Sequence, residues 1–264
     1  MHGFPQNHRC WLPVLPRLAE RFTCILPDLR GYGDSDAPAD DATHRTYSKR
    51  QMAEDLVAVL DALGHEKVHL AGHDRGARVA YRFALDHPER LDRLAILEVI
   101  PTSDFWAAWS AELAFAAYHW TFLAQPAPLP ETLIAADPDG YADLILSSWT
   151  KAKSLACFDP AALESYRAQM RDPRRAAAMC ADYRAGYHTD RAVDLADREA
   201  GRMIDAPLHF LWGRHGFPAS TGDPAANWRR WARKVTDTPI ESGHFAMEEA
   251  PDQVAAALLA GFSD

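Results

Sequence analysis

The segment Gly72-His73-Asp74-Arg75-Gly76 places an aspartate between two glycines, where an apolar strand-like run ends and a helix-like run begins. Glycines on both sides let the backbone make a sharp, crowded turn that lifts the middle side chain above a sheet. At the start of a helix, that side chain also lies at the positive end of the helix dipole. A carboxylate presented in this way can attack a saturated carbon and form an ester with the enzyme. The alternative is an aspartate that only caps the next helix.

Hydrolysis of such an ester needs a base, and a histidine near the C-terminus is the candidate. His244 follows the last strand-like run and precedes the last helix-like run. An early nucleophile and a late histidine are typical of hydrolases that carry their nucleophile on such a turn. His244 would activate water against the ester carbonyl of Asp74. The alternative is that this lone histidine is incidental.

An acid is expected to orient the histidine. The strand-like run at residues 206–213 is followed by no nearby carboxylate, whereas Glu98 lies in the earlier run at residues 91–101. An unpaired carboxylate in an apolar run is costly, so we expect Glu98 to have a partner. The alternative to His244 as that partner is a buried salt bridge unrelated to catalysis.

The elements that must position these residues alternate between strand-like and helix-like segments. Strand-like runs cover residues 22–28, 67–72, 91–101 and 206–213. Residues 47–64 have apolar positions at helical spacing and end at a glycine, and residues 252–262 predict a closing helix. Such alternation indicates an α/β fold with a mostly parallel sheet flanked by helices. From about residue 102 to 187 no strand pattern occurs, which predicts a helical insertion.

Composition sets further limits on function. The chain has 264 residues, 48% hydrophobic and 25% charged, which suits one core with an inserted lid. A net charge of −9 argues against nucleic-acid binding. The sequence has no apolar stretch of 18 residues, so it predicts no membrane-spanning helix. Scattered cysteines and the lack of a signal-peptide pattern predict a cytoplasmic protein with reduced thiols, and the histidines show no metal-ligand spacing such as HExxH.

Several motifs together resemble the fluoroacetate dehalogenases, a group of haloacetate dehalogenases with the α/β-hydrolase fold. They are HGFPQN, DLRGYGDSD, GHDRGAR, ALDHPE, EVIPT, YHWTFLAQPAPLPE, CADYRA and SGHF, and they run nearly from end to end. The resemblance implies a core at residues 1–103 and 188–264 and a helical cap at 104–187. It also implies hydrolysis of fluoroacetate or chloroacetate to glycolate and halide through an ester on Asp74. The protein would need no metal or organic cofactor and would form a homodimer.

Two arginines follow the predicted nucleophile. Arg75 and Arg78 are three residues apart at a helix start, so both can face one site. Guanidinium groups bind carboxylates in bidentate pairs. By resemblance, these arginines hold the substrate carboxylate while Asp74 attacks the carbon that bears the halogen. The alternative is a pair of surface arginines matched with nearby acids.

Further site residues come from the resemblance. His119, Trp120 and Tyr183 lie in the predicted cap, and each can donate a hydrogen bond. Together they resemble the family's halide pocket, and the alternative is an ordinary aromatic cluster in the cap core. Phe4 resembles the residue whose backbone N–H joins that of Arg75 in an oxyanion hole.

The sequence departs from the family pattern at two points. Glu98 stands where the family usually has aspartate, which makes the orientation of the histidine less certain. The sequence starts at the HG loop, which in this fold follows a central strand. We therefore expect an open slot between the runs 22–28 and 67–72, and roughly 25–30 further residues upstream.

Two other functions are open at this point. The turn around Asp74 is shared with epoxide hydrolases, which typically have tryptophan after the nucleophile and use cap tyrosines to protonate the epoxide oxygen. Such an enzyme has no use for Arg75 and Arg78. The second alternative is a non-catalytic ligand-binding protein on the same fold, against which Asp74 and His244 argue.

Overall fold

The protein contains one parallel sheet, described here from a computed structural model that covers residues 1–263. Its strands lie side by side in chain order: β1 (Val68–His73), β2 (Leu91–Leu97), β3 (Leu208–Gly213) and β4 (Val235–Ile240). The register pairs Leu70 with Leu94, and Ile96 with Phe210. Because all the strands are parallel, their carboxyl ends meet at one edge, where such sheets bind ligands.

Helices cover both faces of the sheet and fill the segment between β2 and β3. In chain order they are α1 (Leu15–Ala19), α2 (Lys49–Leu63), α3 (Arg75–Asp86), α4 (Thr102–Ala107), α5 (Ala111–Ala116), α6 (Tyr118–Leu123), α7 (Leu129–Ala136), α8 (Pro138–Trp149), α9 (Pro160–Arg171), α10 (Pro173–Ala185), α11 (Arg191–Glu199), α12 (Ala226–Arg229), α13 (Ala246–Glu249) and α14 (Pro251–Gly261). A π-helical turn at Gly186–Asp190 joins α10 to α11. Within residues 1–263, no helix is both long enough and apolar enough to cross a membrane.

Local signals in the sequence explain the bounds of α2. The Ser48 hydroxyl caps the N-terminus by accepting a hydrogen bond from the Gln51 N–H. Gly64 ends the helix with φ 74°, in the left-handed region that favours glycine. The buried apolar residues of the helix are Met52, Ala53, Leu56 and Leu60. Helix α2 packs against α3, the helix that begins directly after Asp74.

The insertion between β2 and β3 is helical, as predicted. Helices α4–α11 occupy it, and within residues 1–263 it contributes no strand to the sheet. Helix α11 returns the chain to the core and packs against α4, the first helix of the insertion. The entry and the exit of the insertion therefore lie together beside the sheet edge. The exact cap bounds, 104–187, stay a prediction.

The prediction of a strand at residues 22–28 is wrong. This segment has no ladder partner among the described residues, and a strand forms only where its backbone groups pair with a neighbour. A cavity of about 310 Å³ lies between this segment and β1 and is lined by residues of both. At one end of the cavity Met1 lies beside β1: its nitrogen donates to Ala71 O over 2.6 Å, and its carbonyl accepts from His73 N–H over 3.0 Å.

Candidate active site

Asp74 occupies the turn between β1 and α3 in a conformation that L-residues rarely adopt. Its φ and ψ are 47° and −116°, and such strain is typical of functional positions. Gly3 permits a close approach, because a Cβ there would lie 2.5 Å from Asp74 Oδ1. The neighbouring Phe4 N–H donates to the same oxygen over 2.8 Å. One carboxylate oxygen is thus fixed by the backbone, and the other is left to face the site.

His244 lies between two buried carboxylates. Its Nε2 is 3.9 Å from Asp74 Oδ2, and its Nδ1 is 3.8 Å from Glu98 Oε2. Glu98 leaves the end of β2 with φ 64°, and its Oε1 accepts a hydrogen bond from the Gly213 N–H. Within the described part of the chain, His244 Nε2 and Glu98 Oε2 have no hydrogen-bond partner. The three groups therefore form a line in which His244 faces Asp74 on one side and Glu98 on the other.

The electrostatic environment suits a charged nucleophile and a histidine base. Burial opposes ionisation of Asp74, yet the positive charges of His244, Arg75 and Arg78 lower the pKa of this carboxyl. Burial alone would lower the pKa of His244, but Glu98 and Asp74 raise it above its ordinary value. An ester on Asp74 removes one of these two negative charges. The pKa of His244 is then expected to fall, which favours its neutral form when a base is needed.

Arg75 is already held by a carboxylate of the protein. Its Nε and Nη2 donate to the two oxygens of Asp182 over 3.0 and 2.7 Å. Lys49 and the Tyr32 hydroxyl bind the same carboxylate. Only Nη1 of Arg75 lacks a partner within residues 1–263. Because Nε and Nη2 already bind Asp182, Arg75 can reach a substrate carboxylate through Nη1, and its role as a carboxylate-binding residue stays a prediction.

Arg78 differs from Arg75 because its hydrogen-bond partners are neutral. Its Nη1 donates to Ile100 O over 3.1 Å and to Thr102 Oγ1 over 2.9 Å. Within residues 1–263, Arg78 Nε has no partner and the side chain forms no ion pair. Its guanidinium lies 4.5 Å from the Trp120 ring centre, and that of Arg75 lies 5.5 Å from it. Both arginines thus reach one site, where Arg78, within residues 1–263, has no acid bound directly to its guanidinium.

The predicted halide-binding side chains lie together above these arginines. The Tyr183 ring centre is 5.7 Å from His119, 5.8 Å from Trp120 and 4.2 Å from the Arg75 guanidinium. All three side chains are buried. Tyr183 Oη and His119 Nδ1 have no hydrogen-bond partner within residues 1–263. Two polar atoms here are therefore buried and free to bind a ligand, whereas a purely structural cluster would satisfy them.

Comparison with known proteins places this architecture. The family model described as alpha/beta hydrolase fold matches residues 1–251. The chain belongs to the α/β-hydrolase fold family. The crystal structure of a Nostoc sp. PCC 7120 protein described as an alpha/beta hydrolase is 42% identical, with a TM-score of 0.96, covering 100% of this chain and 89% of that one. The predicted fold class is confirmed.

Two curated relatives match this hydrolase over its whole length. A fluoroacetate dehalogenase from Burkholderia sp. is 40% identical over 264 residues, covering 100% of this chain and 86% of the relative. A soluble epoxide hydrolase from Corynebacterium sp. (strain C12) is 32% identical over 265 residues, covering 100% and 88%. The resemblance to fluoroacetate dehalogenases is confirmed, and the protein is a hydrolase that also has epoxide hydrolases among its relatives.

Sequence reasoning missed several buried side chains that support the hydrolase site. The Asp182 carboxylate accepts hydrogen bonds from Arg75 and holds its side chain in place. The Nε2 of His73 donates to the carbonyl of His244 over 2.8 Å. Burial lowers the pKa of His73 to about 3, so this histidine is neutral. Asp182 directly precedes Tyr183, and His73 directly precedes Asp74. This adjacency was the available signal, although it does not reveal a partner that is distant in the chain.

The hydrolase shows no cluster suited to a metal ion in the described residues. Within residues 1–263, no group of three or more His, Cys, Asp or Glu side chains could hold one. The four cysteines are free thiols. The charged groups at the sheet edge pair instead as acid with arginine, lysine or histidine.

Proposed function

We propose that this α/β hydrolase is a haloacetate dehalogenase, which converts fluoroacetate or chloroacetate to glycolate and halide. The observation that carries the proposal is the buried Arg78 guanidinium, which lies near Asp74 but forms no hydrogen bond or ion pair with an acid within residues 1–263. A buried cation without an acidic partner is costly unless a ligand supplies the negative charge. The carboxylate of a haloacetate would supply that charge, and the 40% identical relative supports the assignment.

In the first step, Asp74 attacks the carbon that bears the halogen. Oδ2 is the attacking oxygen, since Oδ1 already accepts from the Phe4 N–H. A carbon–oxygen bond forms as the carbon–halogen bond breaks, and the halide leaves with the bonding electron pair. His119, Trp120 and Tyr183 donate hydrogen bonds to the developing halide charge.

In the second step, water hydrolyses the ester. His244 Nε2 takes a proton from water, and the resulting hydroxide attacks Asp74 Cγ. Negative charge then develops on Oδ1, where the Phe4 N–H and the backbone N–H of Arg75 form the oxyanion hole. The Cγ–Oδ2 bond breaks, and Oδ2 leaves as the hydroxyl oxygen of glycolate after taking a proton from His244. The oxygen from water replaces it in the Asp74 carboxyl group, which loses its proton to solvent as the carboxylate is restored. Glu98 holds His244 in the tautomer with Nδ1 protonated.

Epoxide hydrolysis is the second candidate, and one observation favours it. The Tyr183 hydroxyl has no partner within residues 1–263, and burial raises its pKa, so it stays protonated and is free to donate a hydrogen bond to an epoxide oxygen. The charge of Arg78 has no role on a neutral epoxide. Halide release from fluoroacetate and chloroacetate should be compared with diol formation from styrene oxide. Turnover of the epoxide alone would reject the dehalogenase proposal.

We expect Arg78→Leu to discriminate between charged and neutral substrates. Chloroacetate should lose roughly 10- to 150-fold in kcat/KM, because a charge-assisted hydrogen bond contributes about 1.5–3 kcal/mol. Chloroacetamide has the same shape without the charge and should lose much less. Steady-state chloride release from both compounds tests this, and an equal loss on both would mean that Arg78 has a structural role only.

We expect Glu98→Gln to shift the pH dependence of turnover. The Glu98 carboxylate raises the pKa of His244, and the base must be neutral to act, so turnover is lost as pH falls through that raised pKa. Removing the charge should move the acid limb of kcat to lower pH. Asp104→Asn is the control, because Asp104 binds Trp231 and Arg230 instead. An acid limb that stays in place in Glu98→Gln would exclude this role.

A further inference from the structure

A chain of buried hydrogen bonds leads away from Arg78. The guanidinium donates to Thr102 Oγ1, which lies 2.9 Å from Tyr81 Oη. Tyr81 Oη in turn lies 2.8 Å from Asp194 Oδ2, and the Ser103 N–H donates to the same carboxylate oxygen over 3.1 Å. All of these side chains are buried. The nearest acid to which Arg78 is hydrogen-bonded is thus reached through two hydroxyl groups.

The number of hydrogen-bond donors on each group determines the direction of this series of hydrogen bonds. Burial raises the pKa of Asp194 to about 7. Its Oδ2 already accepts from the Ser103 N–H, and when Asp194 is ionised this oxygen also accepts the one O–H of Tyr81. Tyr81 Oη then accepts from the Thr102 hydroxyl and from the Thr102 N–H, which is 3.2 Å away. The Thr102 oxygen is left with lone pairs for Arg78. Each member therefore fixes the orientation of the next, and Asp194 in its ionised form polarises the series toward Arg78.

We propose that Asp194, acting through Tyr81 and Thr102, is a positioning residue that orients Arg78 for the substrate carboxylate. This inference rests on the proposed function, because it assigns a partner to the same carboxylate site. Thr102 begins α4 and Asp194 lies on α11, so the chain joins the entry and the exit of the helical insertion. The position of the insertion is thereby coupled to the direction of the Arg78 N–H groups.

The next arginine on the same helix provides an internal comparison. Arg82 lies one turn after Arg78 on α3 and binds Asp197 directly, at 2.5 Å. Asp197 lies on α11, three residues after Asp194, and also binds Arg202 at 2.7 Å. Helices α3 and α11 are therefore bridged by a direct ion pair at Arg82 and by a relay of hydroxyls at Arg78. The direct ion pair stabilises the packing of the two helices. The hydroxyl relay, in contrast, leaves the Arg78 guanidinium available to bind the carboxylate of a ligand.

The test measures binding of acetate, which has the carboxylate and no leaving group. Acetate and the neutral acetamide are titrated against the full chain, with tryptophan fluorescence as the readout because Trp120 lies 4.5 Å from Arg78. Thr102→Val, Tyr81→Phe and Asp194→Asn should each raise the Kd for acetate by about 3- to 10-fold, the effect of one neutral hydrogen bond. The binding of acetamide should not change. Asp197→Asn should leave the Kd for acetate unchanged.

A double variant distinguishes a relay from separate effects. If the residues act in series, Tyr81→Phe with Asp194→Asn should be no worse for acetate than either single change. The inference would be overturned if the losses in the double variant were additive, or if folded single variants bound acetate as the wild type does. It would also be overturned if Asp197→Asn weakened acetate binding equally, or if the wild type did not bind acetate. Tyr81→Phe keeps the ring packed, so it serves if Asp194→Asn does not fold. If the variants changed acetate binding as expected but the wild type released no halide, the dehalogenase proposal would be rejected and the inference about Asp194 would still hold.

Discussion

Asp74→Asn is expected to abolish halide release from haloacetates, with a loss of roughly 10⁴-fold or more in kcat. The amide has the shape of the carboxylate, and its oxygen can still accept the Phe4 N–H. It has no negative charge and is therefore a poor nucleophile toward a saturated carbon. Chloride release under saturating chloroacetate measures the loss, and circular dichroism checks that the variant is folded. Undiminished release by this variant would exclude Asp74 as the nucleophile.

His244→Asn separates the two chemical steps. Attack by Asp74 does not need a base, so each active site should release one halide ion and then stop. Hydrolysis does need the base, and the ester should accumulate on the peptide that contains Asp74, with the mass of a carboxymethyl group. Mass spectrometry after digestion detects it. An adduct on a different residue, or continued turnover, would contradict the assignment of His244.

The parts of the fold that the sequence predicts well are those with strong local signals. Helix α2 was expected at residues 47–64 and spans Lys49–Leu63, because a serine cap and a left-handed glycine mark its ends. Strands β1, β2 and β3 are apolar runs, as buried parallel strands should be. Strand β4, with the sequence VTDTPI, is polar and half-exposed at the sheet edge, so it had no comparable signal. Residues 22–28 are as apolar as a strand yet lack a ladder partner, and composition does not reveal pairing.

Sequence patterns do not reveal which distant segments pair, and this also explains which parts of the candidate site could be predicted. Asp74, Arg75 and Arg78 share one short motif, and their common location follows from the turn and the helix. The partners of the arginines depend on packing between distant segments: Asp182 is 107 residues from Arg75, and Asp194 is 113 residues from Tyr81. Sequence alone made the two arginines equivalent. Their different partners, a direct carboxylate and a hydroxyl relay, arise only from the tertiary structure.

The second large expected effect concerns the proposed halide pocket. Substitutions in this pocket should reduce the release of fluoride much more than the release of chloride. Fluoride is a poor leaving group unless its developing charge is well solvated, and a buried site must supply fixed donors in place of water. The buried, unpartnered hydroxyl of Tyr183 can serve as one such donor. Tyr183→Phe and Trp120→Phe should therefore reduce fluoride release strongly and chloride release only mildly. Removing a single such donor is expected to decrease defluorination by roughly 10²-fold.

The ratio of the two activities is the informative quantity, because a loss of folded protein lowers both equally. Fluoride and chloride release should be measured side by side for the wild type and each variant. Tyr166→Phe is the control, since Tyr166 is also a buried tyrosine of the insertion, but its hydroxyl binds Glu248 and not the proposed pocket. Its fluoride-to-chloride ratio should equal that of the wild type. If Tyr183→Phe lowers both activities in proportion, or the wild type releases chloride but no fluoride, these donors do not form a fluoride pocket. The protein would then be better described as a general 2-haloacid dehalogenase.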